Sequence, residues 1–529
     1  MKARLRLCYR YKLAQTLNIR QEKYLMKSYI DCKNEISDDE LFDGLVGFGL
    51  FAEKIPNFLT SEHFLKFIKT LDLPLKIKPT DYIRYSSMRN INIPRPLAIP
   101  EPFAYSNQCK SLSDNWSKIK NHFQIKTLND KFKVSRIHLR KLDNKPELFI
   151  MNYKNFSKDG DPEQDIIIRS KYIACADISN CFPSIYSHSI AWSLVGKTNA
   201  KADKNSSSWY NQLDFYTRNV KFGETNGVLI GPHASNLIAE IILVTVDNEL
   251  TSEGFKYVRN IDDYTCYVES FDEADRFFLC LSEELKKYEL CLNNKKSKTV
   301  PLPQASVKNW VTKLNHFNFV NKYLVNNKEG IRVKELKGFL DFAIELMLEE
   351  DSDAAIINYA IKIISKKYLG KNAKDYYIKQ IHHLVLLYPY LINLLEKYVF
   401  EAHQIDRQVI SEIARDIYEY GRQKKIFEAC SFAVYWSLKY DFDIGIITLK
   451  DDSINSLDCI FMMISYLHDK KHKQKAYLSE YRDLAKKLKK NDFDRYWLFI
   501  YETLSNVDLA DNYKVMKKMG LTFIKTGFN

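Results

Sequence analysis

The sequence has no CxxC pair among its ten cysteines and no metal-finger spacing. That excludes a zinc ribbon or finger and offers no disulfide framework, so the thiols read as buried and reduced, as in a cytosolic protein. No apolar run reaches the length of a membrane span, and the uncharged stretch His382 to Leu395 is short and holds Pro389. Met1 to Lys12 is basic but lacks the apolar core of a signal peptide. Proline is nearly missing from the second half. Of 14 prolines, 13 lie at or before Pro303, and only five of 16 glycines lie beyond residue 340. Proline breaks helix interiors, so this scarcity predicts that residues 304–529 are helical.

What is present is ordinary globular material. The 529 residues are 46% hydrophobic and 27% charged, which excludes a mostly disordered chain and predicts two to four domains. Lys plus Arg is 79 and Asp plus Glu is 66, so the formal charge is 79 − 66 = +13, a balance that suits a polyanionic partner. In the proline-poor region apolar residues recur at helical spacing, as in Ile357, Ala360, Ile361 and Ile364. Either a plain bundle or stacked, HEAT-like helix pairs fit it. Earlier in the chain, Arg89 to Pro102 holds four prolines and must run extended. A basic segment with Lys131, Lys133, Arg136, Arg140 and Lys141 follows, and Ala200 to Ser208 reads as an exposed polar loop.

Between Lys171 and Val300 the pattern is specific. Tyr172 to Ala176 predicts a buried strand ending at Asp177, and Ser184 to Val195 a helix. Pro232 to Leu250 predicts a long helix with proline at a harmless early position. Phe255 to Ile261 and Tyr264 to Val268 predict a hairpin joined at Asp262-Asp263. Phe271 to Tyr288 predicts a helix, and Leu290 to Leu302 an extended segment. This order is a split βαβ unit with one extra helix. Its first strand lies beside the hairpin, so Asp177 and Asp262 converge at one sheet edge. Carboxylates held that close stay ionised only around a cation, and hard oxygen donors favour magnesium or manganese. An isolated Asp-Asp pair is usually only a turn, but the upstream strand-Asp weighs against that here.

The segments Ala176-Asp-Ile-Ser-Asn-Cys-Phe-Pro-Ser-Ile-Tyr-Ser-His-Ser-Ile190, Gly227-Val-Leu-Ile-Gly-Pro-His-Ala-Ser-Asn-Leu-Ile-Ala-Glu240, Val258-Arg-Asn-Ile-Asp-Asp-Tyr264 and Leu292-Asn-Asn-Lys-Lys-Ser-Lys-Thr299 resemble, in order, motifs A to D of a reverse transcriptase palm. The form of the first two is most similar to the abortive-infection and "unknown group" reverse transcriptases of bacterial antiphage defence. The resemblance implies an α+β fold of fingers and a ferredoxin-like palm followed by an all-helical C-terminal domain. It divides the chain into residues 1–170 (N-terminal segment and fingers), 171–303 (palm, with an insertion at 197–225) and 304–529 (thumb-like and helical).

It also implies RNA-directed DNA polymerase chemistry, a nucleotidyl transfer with two Mg2+ or Mn2+ ions. Asp177, Asp262 and Asp263 match the catalytic carboxylates, and the Ile178 carbonyl completes a metal shell. Phe182 matches an aromatic gate that excludes a 2′-hydroxyl. Gly231 matches a glycine that lets backbone approach base or template. Lys298 matches a motif D lysine near pyrophosphate, and Arg169 and Lys171 fall where triphosphate is met. Asn260 stands where motif C usually has tyrosine, and Ile230 where motif B often has glutamine. The implied partners are deoxynucleoside triphosphates, a DNA product, and either a non-coding RNA template or untemplated, protein-primed synthesis. A homo-oligomer or a partner defence protein, a bacterial cytoplasmic location and no membrane complete the expectation. The alternatives are a nucleic-acid-binding scaffold without catalysis and a retron- or intron-type enzyme.

Two decoys are set aside. Val195-Gly-Lys-Thr198 lacks the upstream glycine of a phosphate loop, and His468 with His472 has zinc-ligand spacing in a lysine-rich run without an evident third ligand.

Overall fold

A computed structural model describes residues 28–90, 93–128, 138–142, 147, 149–152, 162–305, 308–320, 323–325 and 328–528. These form two compact units built from non-contiguous segments, unlike the linear division at residues 170 and 303. The first unit comprises Met1–Gly44, Ser111–Asp214 and Asn236–Leu302. The second comprises Leu45–Lys110, Phe215–Ser235 and Pro303–Asn529.

The first unit is organised around four antiparallel strands: β1 (Tyr172–Asp177), β2 (Lys256–Asn260), β3 (Asp263–Val268) and β4 (Lys298–Pro301), in the order β2-β3-β1-β4. That is the order of a split βαβ, ferredoxin-like sheet. Helix α1 (His233–Ser252) precedes β2, and α2 (Phe271–Lys286) follows β3. In α2 the buried residues Ala274, Phe277, Leu281 and Leu285 recur at three- and four-residue spacing, one face of a helix. Ser270 caps it by accepting from the Glu273 amide at 3.2 Å. Helix α1 is apolar almost all round, with Leu237, Ile238, Ile241, Ile242, Leu243 and Val244 buried, as expected of a helix enclosed on every side.

Side chains alternate across a strand, so the register assigns each residue to a face. Ala176 pairs with Tyr264 and Ala174 with Cys266, and all four are buried on the helix-covered face. Asp177 pairs with Asp263 and Cys175 with both Thr265 and Lys298, on the other, open face. One face is thus a core, whereas the other is open and polar only at the Asp177 end; farther along it Ile173, Val258 and Tyr267 pack with Ile166 in a second, smaller apolar cluster.

Several local expectations shift. The helix expected over 184–195 is two short pieces, Cys181–Ser184 and Ser189–Val195, because the backbone at Ile185 is extended. The loop expected over 200–208 is helical up to Ala202, and only then turns, with Asp203 accepting from Ser208 and the Asn205 amide. The segment 290–302 is not continuous strand. Backbone bonds from Lys296 and Ser297 to the Asn293 carbonyl make a turn before β4.

In the second unit the proline-rich segment is extended as expected from Arg95 to Pro100, while Ile91 and Asn92 lie outside the described residues. Arg95–Pro100 pairs antiparallel with Tyr82–Ser87, and two strands leave every proline on an edge. Pro102 then opens the helix Pro102–Asp114. Residues from 333 onward are mostly helices, among them Val333–Glu349, Arg407–Lys424, Phe427–Lys439 and Cys459–His472. The C-terminal region is not all helix, however. Tyr323–Val325, Lys328–Ile331 and Tyr368–Leu369 form a small sheet. Aromatic rings from distant segments share this unit's core, with Phe103 edge-on to Phe64 (5.3 Å) and Tyr513 (5.1 Å), and Trp497 to Phe523 (4.9 Å).

Candidate active site

The β2–β3 connection is a two-residue turn, Ile261-Asp262, closed by the Asn260–Asp263 pair. Asp263 therefore opens β3 rather than sharing the tip. Ile261 has φ of 61°, a left-handed conformation that a β-branched residue rarely adopts. Its effect is to turn the chain within two residues, so that Asp262 and Asp263 both come up beside Asp177.

Carboxylate oxygens of Asp177, Asp262 and Asp263 lie within 4.8 Å of one another, the only such acidic or metal-ligating triad among the described residues. Asp177 is buried, Asp262 half-buried and Asp263 exposed. The Ile178 amide donates to the Asp262 carbonyl at 3.2 Å, and the Asn293 amide to the Asp177 carbonyl at 2.7 Å, so the backbone at residues 177–178 is fixed from both sides. The Asp177 carboxylate accepts from Asn293 Nδ2 at 2.8 Å and faces Lys296 Nζ at 3.2 Å. Desolvation of the carboxyl by its neighbours, then the hydrogen bond to Asp177 and the Asp262 charge, push Asp263 up to about 6, with Lys296 opposing. Crowded carboxylates with a raised proton affinity are what a divalent cation relieves, and three oxygen donors fit magnesium or manganese.

The other expected residues fall as follows. Lys298 is exposed on the open face, directly across from Cys175 and one step of the strand alternation from Asp177. Phe182 is half-buried in the short helix just after the left-handed Asn180 (φ 45°), beside Cys181, whose thiol is pushed up by burial and by the Asp262 charge. Arg169 and Lys171 are exposed at the opposite end of β1. The Lys171 amide bonds Val268, and strand rise alone separates it from Asp177 by ~20 Å. The structure does not bring these two to the triad. Gly231 belongs to the second unit. Its φ of 127° suits only glycine, and a Cβ there would stand 3.1 Å from the Ala98 carbonyl, so its close approach is to backbone of its own unit. Lys131, Lys133 and Arg136 lie outside the described residues. Lys141 is paired with Glu40 at 2.6 Å. The decoy His468 hydrogen-bonds Asp469 at 3.0 Å.

Sequence reasoning missed three residues. Asn293 and Lys296 are delivered by the turn before β4, hidden inside a segment expected to be extended. Arg259, one residue before Asn260, is completely buried on the covered face. Its guanidinium bonds Asp247 (2.6 Å), Glu240 (3.1 Å) and the Ile261 carbonyl (2.8 Å). The signal was present in α1, because two acids seven residues apart in an apolar helix require a buried cation.

Residues 113–320 match the reverse transcriptase (RNA-dependent DNA polymerase) family, so this part of the chain carries a reverse transcriptase domain. No curated protein matches the sequence. Similar solved structures include an apo telomerase from Candida tropicalis truncated from its C-terminal domain, at 14% identity and TM-score 0.25. That match covers 51% of this chain and 57% of the other, so the chain spans little over half its length. The apo telomerase from Candida tropicalis matches at 11% identity and TM-score 0.27, covering 75% and 71%. Telomerase from Candida albicans in complex with a TWJ fragment of telomeric RNA matches at 11% identity and TM-score 0.28, covering 80% and 70%. These structural likenesses are weak. No helix among the described residues is long and apolar enough to cross a membrane.

Proposed function

We propose that the chain is a reverse transcriptase-like DNA polymerase acting in antiphage defence in a bacterial cytoplasm. It adds deoxynucleoside monophosphates, from deoxynucleoside triphosphates, to a 3′-hydroxyl or, in a first round, to a protein hydroxyl. The observation that carries the chemistry is the meeting of Asp177, from one strand, with Asp262 and Asp263, from a hairpin far along the chain, on the open face of the sheet. The defence role is supported by the forms of the first two motifs and by the long helical region after the palm.

In this reading Asp177, Asp262 and the Ile178 carbonyl would hold two divalent ions, with Asp263 beside them. Magnesium bound there supplies activation of the attacking hydroxyl and neutralisation of the leaving pyrophosphate. The protein's own residues do the rest. Asn293 orients the Asp177 carboxylate through its 2.8 Å bond. Lys296 and Lys298 place positive charge on the same open face, where it would offset phosphate charge. Phe182 would close the space beneath the sugar against a 2′-hydroxyl.

The test incubates purified protein with each labelled deoxynucleotide and magnesium, with and without prior ribonuclease treatment, alongside Asp262→Asn. Expected is synthesis by the wild type and none by the variant. Loss after ribonuclease identifies an RNA template, and label removed by protease but not nuclease identifies protein priming. Silence of the wild type even with added primer–template overturns the polymerase assignment. For the defence role, plaque counts on cells carrying wild type fall relative to cells carrying Asp262→Asn, and equal counts refute it.

A further inference from the structure

We infer that Arg259 is the positioning residue of the aspartate turn, acting from the covered side of the sheet through a buried relay that reaches the helix Tyr29–Asn34. The inference rests on the metal-site reading of the triad and deepens it. Alternation puts Arg259, paired with Tyr264, on the face opposite Asp177 and Asp263, so it touches neither carboxylate. Its fork is nonetheless fully engaged. Nε and Nη2 hold the Asp247 carboxylate at 2.6–3.0 Å, Nη2 also reaches Glu240 at 3.1 Å, and Nη1 donates to the Ile261 carbonyl at 2.8 Å.

The Ile261 bond is the informative one. Ile261 is the strained residue of the turn, and the peptide whose carbonyl Arg259 grips is the one that leads into Asp262. Holding that carbonyl fixes the direction in which Asp262 leaves the turn, and with it the spacing of the three carboxylates. A salt bridge serving stability alone would need no prong on the turn, and an apolar replacement would serve as well. A lysine could neutralise the two acids but could not reach Asp247, Glu240 and a carbonyl in three directions at once.

The relay is anchored on both sides. Glu240 and Asp247 lie seven residues apart, so they share one face of α1. Glu240 also accepts from the Tyr29 hydroxyl, and the Asp247 carbonyl accepts from the Tyr257 hydroxyl at 2.7 Å. Tyr29 stands on a helix that Ser28 and Asp31 cap reciprocally, with the Lys33 ammonium 3.1 Å from its ring centroid. The geometry of the triad is thereby set by residues that meet neither metal nor substrate.

The test titrates Mn2+ into full-length protein and reads binding by electron paramagnetic resonance, without nucleotide or primer. Thermal unfolding confirms that each variant is folded. Arg259→Lys keeps the charge and loses the fork. Its Mn2+ dissociation constant is expected to rise by about tenfold, within the range for residues that orient metal ligands. In DNA synthesis its kcat falls by a similar factor while KM for deoxynucleotide stays near wild type. Tyr29→Phe removes one hydroxyl and gives a smaller rise of the same sign, and it decides the question if Arg259→Lys does not fold. Folded Arg259→Lys, or failing that Tyr29→Phe, binding Mn2+ as the wild type does while Asp262→Asn does not, overturns this inference alone. Equal binding by wild type and Asp262→Asn overturns the metal reading, and this inference with it.

Discussion

Three carboxylates within 4.8 Å of one another repel until a cation arrives, so removing one should make the metal-free protein more stable. Asp263→Asn is the sharpest form of this perturbation, because asparagine keeps the shape and discards the charge. The Asp263 carboxyl is raised from 3.8 to about 6. A shift of ~2 units corresponds to roughly 3 kcal/mol. Desolvation is its largest cause, followed by the hydrogen bond to Asp177 and the charges of Asp262 and Asp177, and all of these penalise only the ionised form that asparagine lacks. Asp263 is open to solvent, and screening reduces the usable part to about 1 kcal/mol. The sign follows from the direction of the shift. A carboxyl raised in the folded state costs nothing below its unfolded value and its full amount above its folded one. The variant's advantage is therefore complete above pH ~7, shrinks below 6 and disappears below about 4. For a unit of this size ~1 kcal/mol is a rise of about 2–4 °C in Tm. The assay is scanning calorimetry in EDTA at pH 8 and pH 5, repeated with magnesium. Expected is a higher Tm for Asp263→Asn at pH 8, a smaller difference at pH 5, and a magnesium-induced rise that is larger in the wild type. A variant no more stable than wild type at pH 8 in EDTA would refute the reasoning.

Three further outcomes are expected. Phe182→Ala raises incorporation of ribonucleotides relative to deoxynucleotides by at least about tenfold, measured in competition, and an unchanged ratio removes Phe182 as the gate. Lys296→Ala, which deletes the cation beside Asp177, tightens Mn2+ binding by about two- to fivefold, the scale of an exposed ion pair, whereas Lys298→Ala leaves it unchanged. Equal effects from both would show that proximity to Asp177 does not matter. Glu101 is buried in the second unit and raised to about 7, chiefly by desolvation, against the Tyr513 hydroxyl and the Ala104 amide that favour its anion. Its folded-state value is raised, so stability is full below about 4.5 and is lost as pH rises through 7. Glu101→Gln should flatten the pH 5 to pH 8 decline of unit stability by about 2–3 kcal/mol, read from denaturant midpoints.

Much of the palm was legible because its patterns are local. A strand ending in Asp177, a long apolar helix and a second helix with acids first and lysines last each declare themselves within about 20 residues. The order of elements was enough to set the Asp177 strand beside the hairpin, but the register was not legible: Asp262-Asp263 reads as the tip, whereas Asp263 opens β3 and pairs with Asp177. What stayed hidden depends on contacts without local spacing. Ile261 gives no sign that it accepts a left-handed backbone, since turns of that kind normally announce themselves with glycine or asparagine. The turn bringing Asn293 and Lys296 to Asp177 is held by backbone bonds in a lysine-rich stretch that reads equally well as extended. Arg259 looks like one more strand residue until its partners, 12 and 19 positions away, are folded over it. The small sheet near Tyr323 escaped notice because strands of two to four residues carry no usable periodicity.

The second unit brings Thr60 and Phe58 into backbone bonding with Phe523 and Lys525, while Leu59 bridges Ile524. During synthesis, roughly 460 residues must be translated between the two halves of that contact, about half a minute at ~15 residues per second. The first unit has all its segments once Leu302 has left the ribosome, whereas the second must wait with Phe58 and Phe64 unsheltered. A nascent chain of this protein thus carries a complete first unit while the second is still incomplete, and chaperone dependence should fall on the latter.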